Sequence, residues 1–587
     1  MRTGQAAALS YRLMTANDTI DGRAGGGAAG SAGRWLAPAA IAAALLGFYL
    51  LFASTTTLWD RDEPRFARAA VEMAYGGDWL VPTFNAELRA HKPAGVYWLM
   101  AGSVLALGVN ELAVRLPSAV MWVLVALATF AAGRLLFGRR AALWAMAIVG
   151  TAALAAYIAA AAMADAMLNA AMAGAMLAFV HRVQRGGRWW QLPAIALCLG
   201  AALLAKGPVG LAVPMLSMIT AGVLLRRTDR PIGRRWWGGL ALATLAGVGI
   251  FLAWAIPANQ ATAGAFAEQG LGRHVFERMT SAMEGHGGSD AGGYVLALGL
   301  YVPLLIAGFF PWTLHLPGAL RAMIGRRLGG PTQRAVLWGW IVPTFVLMTL
   351  IVTKLPHYIL PIYPPLAIAC GAMIDARRGQ LAEADRDWLR GGVWFFGPVA
   401  ALVAVAMIGL PVFMGAALWS VAPVALLVGV AVLAIRWQLA ERVGRTACLL
   451  AIATPVLMVL GMAALRPAVE GRLKISDDLA AAIHAEFEAA GATPTVYTAG
   501  YNEPSLVFYL DLPPDQQVRG GDPGALLVHG AAEPHAVLVI TSQKLAKVEQ
   551  QVGPIAADRI IARYPVINYS SSAEQHEVLA LWLPGRR

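Results

Sequence analysis

The sequence predicts a mostly α-helical, polytopic membrane protein with about thirteen spanning helices, each of about 20 apolar residues, followed by a small α/β domain. Three observations carry that prediction. The 587 residues are 58% hydrophobic and only 14% charged, whereas a soluble domain carries roughly 25% charged residues. Apolar runs long enough to cross a bilayer recur from Trp35 onward. After Arg466 the character changes to short β-rich segments and amphipathic stretches.

Residues 1–34 are Gly/Ala-rich with scattered Arg and read as a disordered cytoplasmic tail. No small-residue cleavage site follows the first apolar run, so no removable signal peptide is expected. Residues 35–466 form the membrane region. Its expected spans are Trp35–Leu58, Leu112–Phe137, Ala141–Met163, Ala166–Val183, Trp189–Leu204, Val209–Leu225 and Gly238–Pro257. They continue with Tyr294–Leu314, Ala335–Val352, Tyr358–Ile374, Gly391–Phe413, Ala417–Ile435 and Ala447–Leu465. The stretch Pro93–Leu107 is apolar but short, and is expected to lie in the interface. Residues 467–587 form the outer domain, with a helix over Asp477–Ala490, strands in "TPTVYTAG" and "AVLVITSQ", and a helix in "KLAKVEQQ". No repeats relate the two halves of the chain.

Arginine distribution sets the orientation. With the N-terminus inside, the Arg-rich connections at Arg139/Arg140, Arg182–Arg188, Arg226–Arg235, Arg321–Arg334, Arg377–Arg390 and Arg436–Arg445 all fall on the cytoplasmic side. The net charge of +12 then reflects topology rather than nucleic-acid binding. Outside fall the first loop (59–111), a second large loop (258–293) and the terminal domain. All six lysines (Lys92, Lys206, Lys354, Lys474, Lys544, Lys547) are outside as well. Cys198, Cys370 and Cys448 sit in apolar runs and read as small buried hydrophobes.

The chemistry concentrates in the outer segments. "LWDRDEPRFARAAVEMAYGGDWL" packs Asp60, Arg61, Asp62, Glu63, Arg65 and Arg68 directly against an apolar run. A solvated loop with local ion pairs would explain Asp62 and Glu63. Asp165, in "AAYIAAAAMADAMLNAAM", is apolar on both sides and must lie in a turn or face a site. Charges near a bilayer usually face a cavity or a partner, and cations there suit a lipid phosphate.

At these residues the chain resembles a known family. "DEPRFARAAVEMAYGGDWLVPTFNAELRAHKPAGVYW", "LAKGPVGLAVPMLS", "GFFPWTLHLPGAL" and "KLPHYILPIYPPLA" are similar, in that order, to segments of the lipid A aminoarabinose transferases and the broader protein O-mannosyltransferase-like family. Both are polytopic, lipid-donor glycosyltransferases of the GT-C fold. The resemblance covers roughly Trp35 to Ile374; the rest matches in layout.

The resemblance implies roles residue by residue. Asp62 and Glu63 would be the acidic motif of the first loop, with Asp62 the catalytic carboxylate, and Asp165 the second acidic motif. Arg65, Lys92 and Tyr358, joined by Lys206, Lys354 and Arg278, would bind the phosphate of a polyprenyl (undecaprenyl) carrier. The aminoarabinose enzymes carry a glutamate before that lysine, where this chain has His91. Glu63 and His91 are left as candidate ligands of a divalent cation. The implied reaction is transfer of a sugar, with inversion, to lipid A by a monomer at the periplasmic face of the bacterial inner membrane. The acceptor could instead be a protein or another glycan hydroxyl. A lipid-linked sugar flippase is the rival of a different class, and it would call for midplane charges and inverted repeats.

Overall fold

The computed structural model describes residues 28–270, 291–376, 383–413, 421–488, 491–567 and 575–583. Helix α1 (Ala28–Ala53) leads through an extended loop into α2 (Asp62–Gly76) and a minimal hairpin of β1 (Thr83–Phe84) and β2 (Glu87–Leu88). The chain continues through α3 (Gly95–Leu107), α4 (Glu111–Phe137), α5 (Arg139–Thr151), α6 (Ala153–Ala159), α7 (Ala164–Arg185), α8 (Gln191–Lys206), α9 (Pro208–Leu225) and α10 (Arg234–Ala261). Later come α11 (Pro331–Leu350), α12 (Tyr363–Ala376), α13 (Val393–Phe413), α14 (Ala422–Leu439) and the long α15 (Val443–Arg472).

Among the described residues ten helices are long and apolar enough to cross a membrane, and α5–α6 is an eleventh candidate bent by 68°. Two expected spans are shorter than one membrane thickness: α8, of 16 residues, and the apolar stretch Gly292–Gly308. Helix α8 stops at Lys206 because Gly207 takes a positive φ of 64° and turns the chain into α9, a conformation that suits glycine. The bend after Thr151 leaves backbone groups that must find partners inside the bundle. The Ala153 amide donates to the Phe310 carbonyl at 2.8 Å, and the Trp312 indole donates to Thr151 Oγ1 at 3.0 Å.

Helix α3 has 13 residues, about 20 Å at 1.5 Å per residue, so it is too short to span. It buries Val96, Tyr97, Met100 and Val104 against Phe66, Val71 and Met73 of α2. Small residues let the spanning helices touch. A Cβ on Gly339 of α11 would stand 2.4 Å from the Ala221 Cα of α9, and one on Gly371 of α12 would stand 2.4 Å from the Ala141 carbonyl oxygen.

Beyond α15 lie α16 (Ser476–Glu488), β3 (Thr495–Ala499), α17 (Pro504–Tyr509), β4 (Arg519–Gly520), β5 (Ala536–Thr541), α18 (Ser542–Val552), β6 (Ile560–Ile567) and β7 (Gln575–Trp582). The strands form one sheet in the order β4-β3-β5-β7-β6, parallel across β4-β3-β5 and antiparallel at β7, with Val539 opposite Ala580. Strand β5, all six residues buried, alternates its side chains between two cores. Val537 and Val539 meet Leu479, Ile483 and Phe487 of α16, while Leu538 and Ile540 meet Leu545 and Val548 of α18. That period of two is the strand geometry the sequence pattern implied.

Candidate active site

The loop 54–61 between α1 and α2 leads into the first acidic motif. Helix α2 begins Asp62-Glu63-Pro64, and carboxylates in a first turn are favoured by the helix dipole. The two acids then diverge. Asp62 is exposed. Glu63 is only 2% exposed and faces inward, where Arg115 Nε and Nη2 donate to its two oxygens at 2.9 and 2.8 Å. The Trp59 and Ala162 amides donate to the same carboxylate at 2.8 and 2.7 Å. Burial alone would push the Glu63 carboxyl up, but the Arg115 charge and these donated bonds hold it below its ordinary value. Arg115 also donates to the Ala53, Thr56 and Thr57 carbonyls at 2.6, 2.7 and 2.8 Å. Glu63 and Arg115 therefore shape the loop from within.

The second centre forms where α7 and α8 meet as an antiparallel pair. Asp165 lies in the first turn of α7 and Lys206 in the last turn of α8, each at the helix end whose dipole suits its charge. The short 186–190 connection at the far end sets the two helices antiparallel, so the ends carrying Asp165 and Lys206 lie side by side. Lys206 Nζ donates to Asp165 Oδ1 at 2.6 Å, and His357 Nε2 stands 3.7 Å from Asp165 Oδ2. Lys206 also lies over the Tyr358 ring, 4.7 Å from its centroid, and the His357 and Tyr358 rings meet at 5.1 Å. The charge of Lys92 acts on both Asp165 and His357, and that of Asp62 acts on His357.

The residues anticipated from sequence thus separate. Asp62, Lys92, Asp165, Lys206 and Tyr358 converge on one centre. Arg65 is half-buried on α2, three positions beyond Asp62. Glu63 does not join them: its oxygens are taken up by protein donors, which argues against both the catalytic and the metal-ligating expectation. Lys354 does not join them either. It is 4% exposed, its ammonium donates to the Met348, Thr349 and Ile351 carbonyls that end α11, and it faces the Tyr294 and Tyr301 rings. That is a helix C-terminal cap, not a cation held open for a phosphate. Arg278 lies outside the described residues. His91 is exposed, and its carbonyl accepts from Lys92 Nζ at 3.3 Å. Among the described residues no group of three or more His, Cys, Asp or Glu could hold a metal ion. With Glu63 engaged, the residues present do not fit the cation considered above.

Comparison with known proteins agrees with this layout. Residues 39–262 match the family model of dolichyl-phosphate-mannose-protein mannosyltransferases. The chain is 31% identical over 380 residues to the undecaprenyl phosphate-alpha-4-amino-4-deoxy-L-arabinose arabinosyl transferase of Pectobacterium carotovorum, covering 62% of this chain and 64% of that one. It is 33% identical over 330 residues to the second such transferase of Sodalis glossinidius, covering 55% and 56%. The matched region is under two thirds of the length of these relatives. The crystal structure of ArnT from Cupriavidus metallidurans bound to undecaprenyl phosphate superposes with a TM-score of 0.70 at 21% identity, covering 92% of this chain and 97% of that one.

The chain has a GT-C fold.

Within this GT-C fold, sequence reasoning missed two residues that organise the site. His357 was in view beside Tyr358 in "KLPHYILPIYPPLA", but nothing local says that it faces Asp165, 192 positions earlier in the chain. Arg115 could have been flagged as a charge in the first turns of an apolar helix, which needs a partner when buried.

Proposed function

We propose that the protein is an integral-membrane glycosyltransferase that moves a sugar from a polyprenyl phosphate carrier, undecaprenyl phosphate, to lipid A at the periplasmic face of the bacterial inner membrane. Aminoarabinose is the sugar the relatives' names favour. What carries the reading is the convergence of Asp62, Lys92, Asp165, Lys206 and His357 where the acidic loop meets the N-terminus of α7 and the C-terminus of α8, in a fold shared with a protein crystallised with undecaprenyl phosphate.

The carrier phosphate leaves as an anion, so preplaced cations lower the barrier. Lys206 and Lys92 supply that charge. Asp165 anchors Lys206 by the 2.6 Å bond, and the Tyr358 ring fixes the other side of its ammonium. Asp62, the exposed carboxylate, faces the acceptor. If the acceptor group is a hydroxyl, Asp62 takes its proton. If it is a lipid A phosphate, already nucleophilic, Asp62 orients the donor sugar. In-line attack on the anomeric carbon inverts its configuration.

Mass spectrometry of lipid A tests the reading. A strain deleted for this chain should lose the aminoarabinose-modified species and regain it with the wild type but not with Asp62→Asn. Unchanged lipid A in the deletion strain would refute the acceptor assignment.

A further inference from the structure

We infer that the C-terminal α/β region is a positioning device for the reaction, in which Ser505 and Tyr509 of α17 hold the acidic loop so that Asp62 is presented in a fixed register. This rests on the transfer reaction proposed above, in which Asp62 faces the acceptor.

The loop "STTTLWDRD" is tied at several points to residues far away in the chain. Asp60, two residues before Asp62, accepts the Ser505 amide on Oδ1 at 2.9 Å and the Ser505 hydroxyl on Oδ2 at 2.6 Å. The Leu58 amide donates to the Tyr509 hydroxyl at 2.8 Å, and that hydroxyl donates to Glu111 at 3.1 Å. At the loop's start Glu470, at the end of α15, accepts from the Thr56 and Thr57 hydroxyls at 2.7 and 2.5 Å and from the Thr57 amide at 2.9 Å. Lys474 donates to Thr56 Oγ1 at 2.6 Å and to the Thr57 carbonyl, with its ammonium 4.1 Å from the Trp59 ring centroid.

Helix α17 is built to transmit this hold. Leu506 belongs to the core between α16 and the sheet, while Phe508 enters the core formed by α2 and α3. Ser505 is backed by Ser476 at 2.7 Å, which in turn meets the Tyr501 hydroxyl at 2.8 Å. Arg68 of α2 adds a parallel tie, donating to the Leu512 carbonyl at 2.7 Å and pairing with Asp511 at 3.5 Å. Charged groups acting on Asp60 are Glu503 and Lys474, and Asp60 in turn acts on Tyr501. Burial, the largest influence, pushes the Asp60 carboxyl up to about 6. At neutral pH the charge-assisted bonds to Ser505 are therefore kept at a cost in desolvation. An arrangement retained against stability is what a functional constraint leaves behind.

The test uses the full chain in lipid nanodiscs, with the variants Ser505→Ala, Ser505→Thr, Tyr509→Phe and Tyr497→Phe. The last removes a hydroxyl bonded to Glu533 within the same region and away from the loop. Amide hydrogen exchange over residues 58–64 and sugar transfer are both measured. Ser505→Ala and Tyr509→Phe should speed exchange across 58–64 and lower kcat about tenfold or more, because misplacing a reacting group is costly. KM for the polyprenyl donor should stay within about twofold, since the loss falls on the transition state. Ser505→Thr should restore kcat, and Tyr497→Phe should match the wild type. Wild-type kcat in both Ser505→Ala and Tyr509→Phe would overturn the inference, as would an equal loss in Tyr497→Phe or unchanged exchange. If the wild type transfers no sugar, it is the reading of the reaction that fails, and the exchange data alone decide the clamp.

Discussion

Lys206 and Asp165 form a 2.6 Å ion pair between the last turn of one helix and the first turn of its antiparallel neighbour. The pair is largely buried, with the two side chains 11% and 6% exposed. Removing one member of such a pair leaves an uncompensated charge. Asp165→Ala should therefore destabilise the protein by about 3–5 kcal/mol. Adding Lys206→Met should recover much of that loss without restoring transfer. Thermal unfolding and transfer assays on the single and double variants check both parts; a double variant with wild-type activity would remove Lys206 from the reaction.

The neighbouring acids Asp62 and Glu63 should respond oppositely. Glu63→Gln weakens the buried pairing with Arg115, and should lower the unfolding temperature and the yield of folded protein. Asp62→Asn alters an exposed group, so stability should change by no more than about 0.5 kcal/mol while transfer is lost. A stable, inactive Glu63→Gln protein would reverse the assignment.

Asp60 gives a pH signature. Its carboxyl rises from 3.8 to about 6 in the folded protein, chiefly through burial. The folded state then binds the extra proton, so this group's contribution to stability is full below pH 3.8 and is lost as pH rises through about 6. Asp60→Asn should remove that dependence and unfold at a higher temperature than the wild type at pH 7.5. Unchanged pH dependence of the unfolding temperature in Asp60→Asn would show that Asp60 does not titrate in that window.

What the sequence revealed follows from the range of each signal. Hydrophobic length is local, so the thirteen expected spans each fall on helices, including the bent α5–α6, and α3 is short as its 13 residues require. The end of the stretch Gly292–Gly308 was less legible, since the packing of 309–315 cuts a helix that composition alone would extend to Leu314. Of the expected site residues, motif resemblance and charge in an apolar chain single out Asp62, Lys92, Asp165, Lys206 and Tyr358, which the fold brings near one another. Glu63 was misjudged because nothing near it in sequence announces Arg115, 52 residues on. Lys354 was misjudged because a helix end offering free carbonyls is a property of the folded turn, not of "TKLP". The clamp from Ser505 to Asp60 spans 445 positions, beyond any local pattern.

Sidedness has its own test. Single cysteines at Gly77 and Asp522 should react with a membrane-impermeant thiol reagent in intact cells, and those at Gly138 and Thr228 only after the membrane is opened. The basis is the Arg-rich connections, which resist translocation. Labelling at Thr228 in intact cells would invert the map.

Transfer by the purified protein decides whether the centre around Asp165 and Lys206 takes a sugar from a polyprenyl phosphate. Full-length chain in nanodiscs is mixed with undecaprenyl phosphate carrying radiolabelled aminoarabinose and with lipid A, and label in lipid A is followed over time. The wild type should transfer label, and Asp62→Asn should transfer less than about a hundredth as much, the loss expected when one preorganised catalytic group is removed, while still binding the carrier. No transfer by the wild type, or equal transfer by Asp62→Asn, would contradict the account.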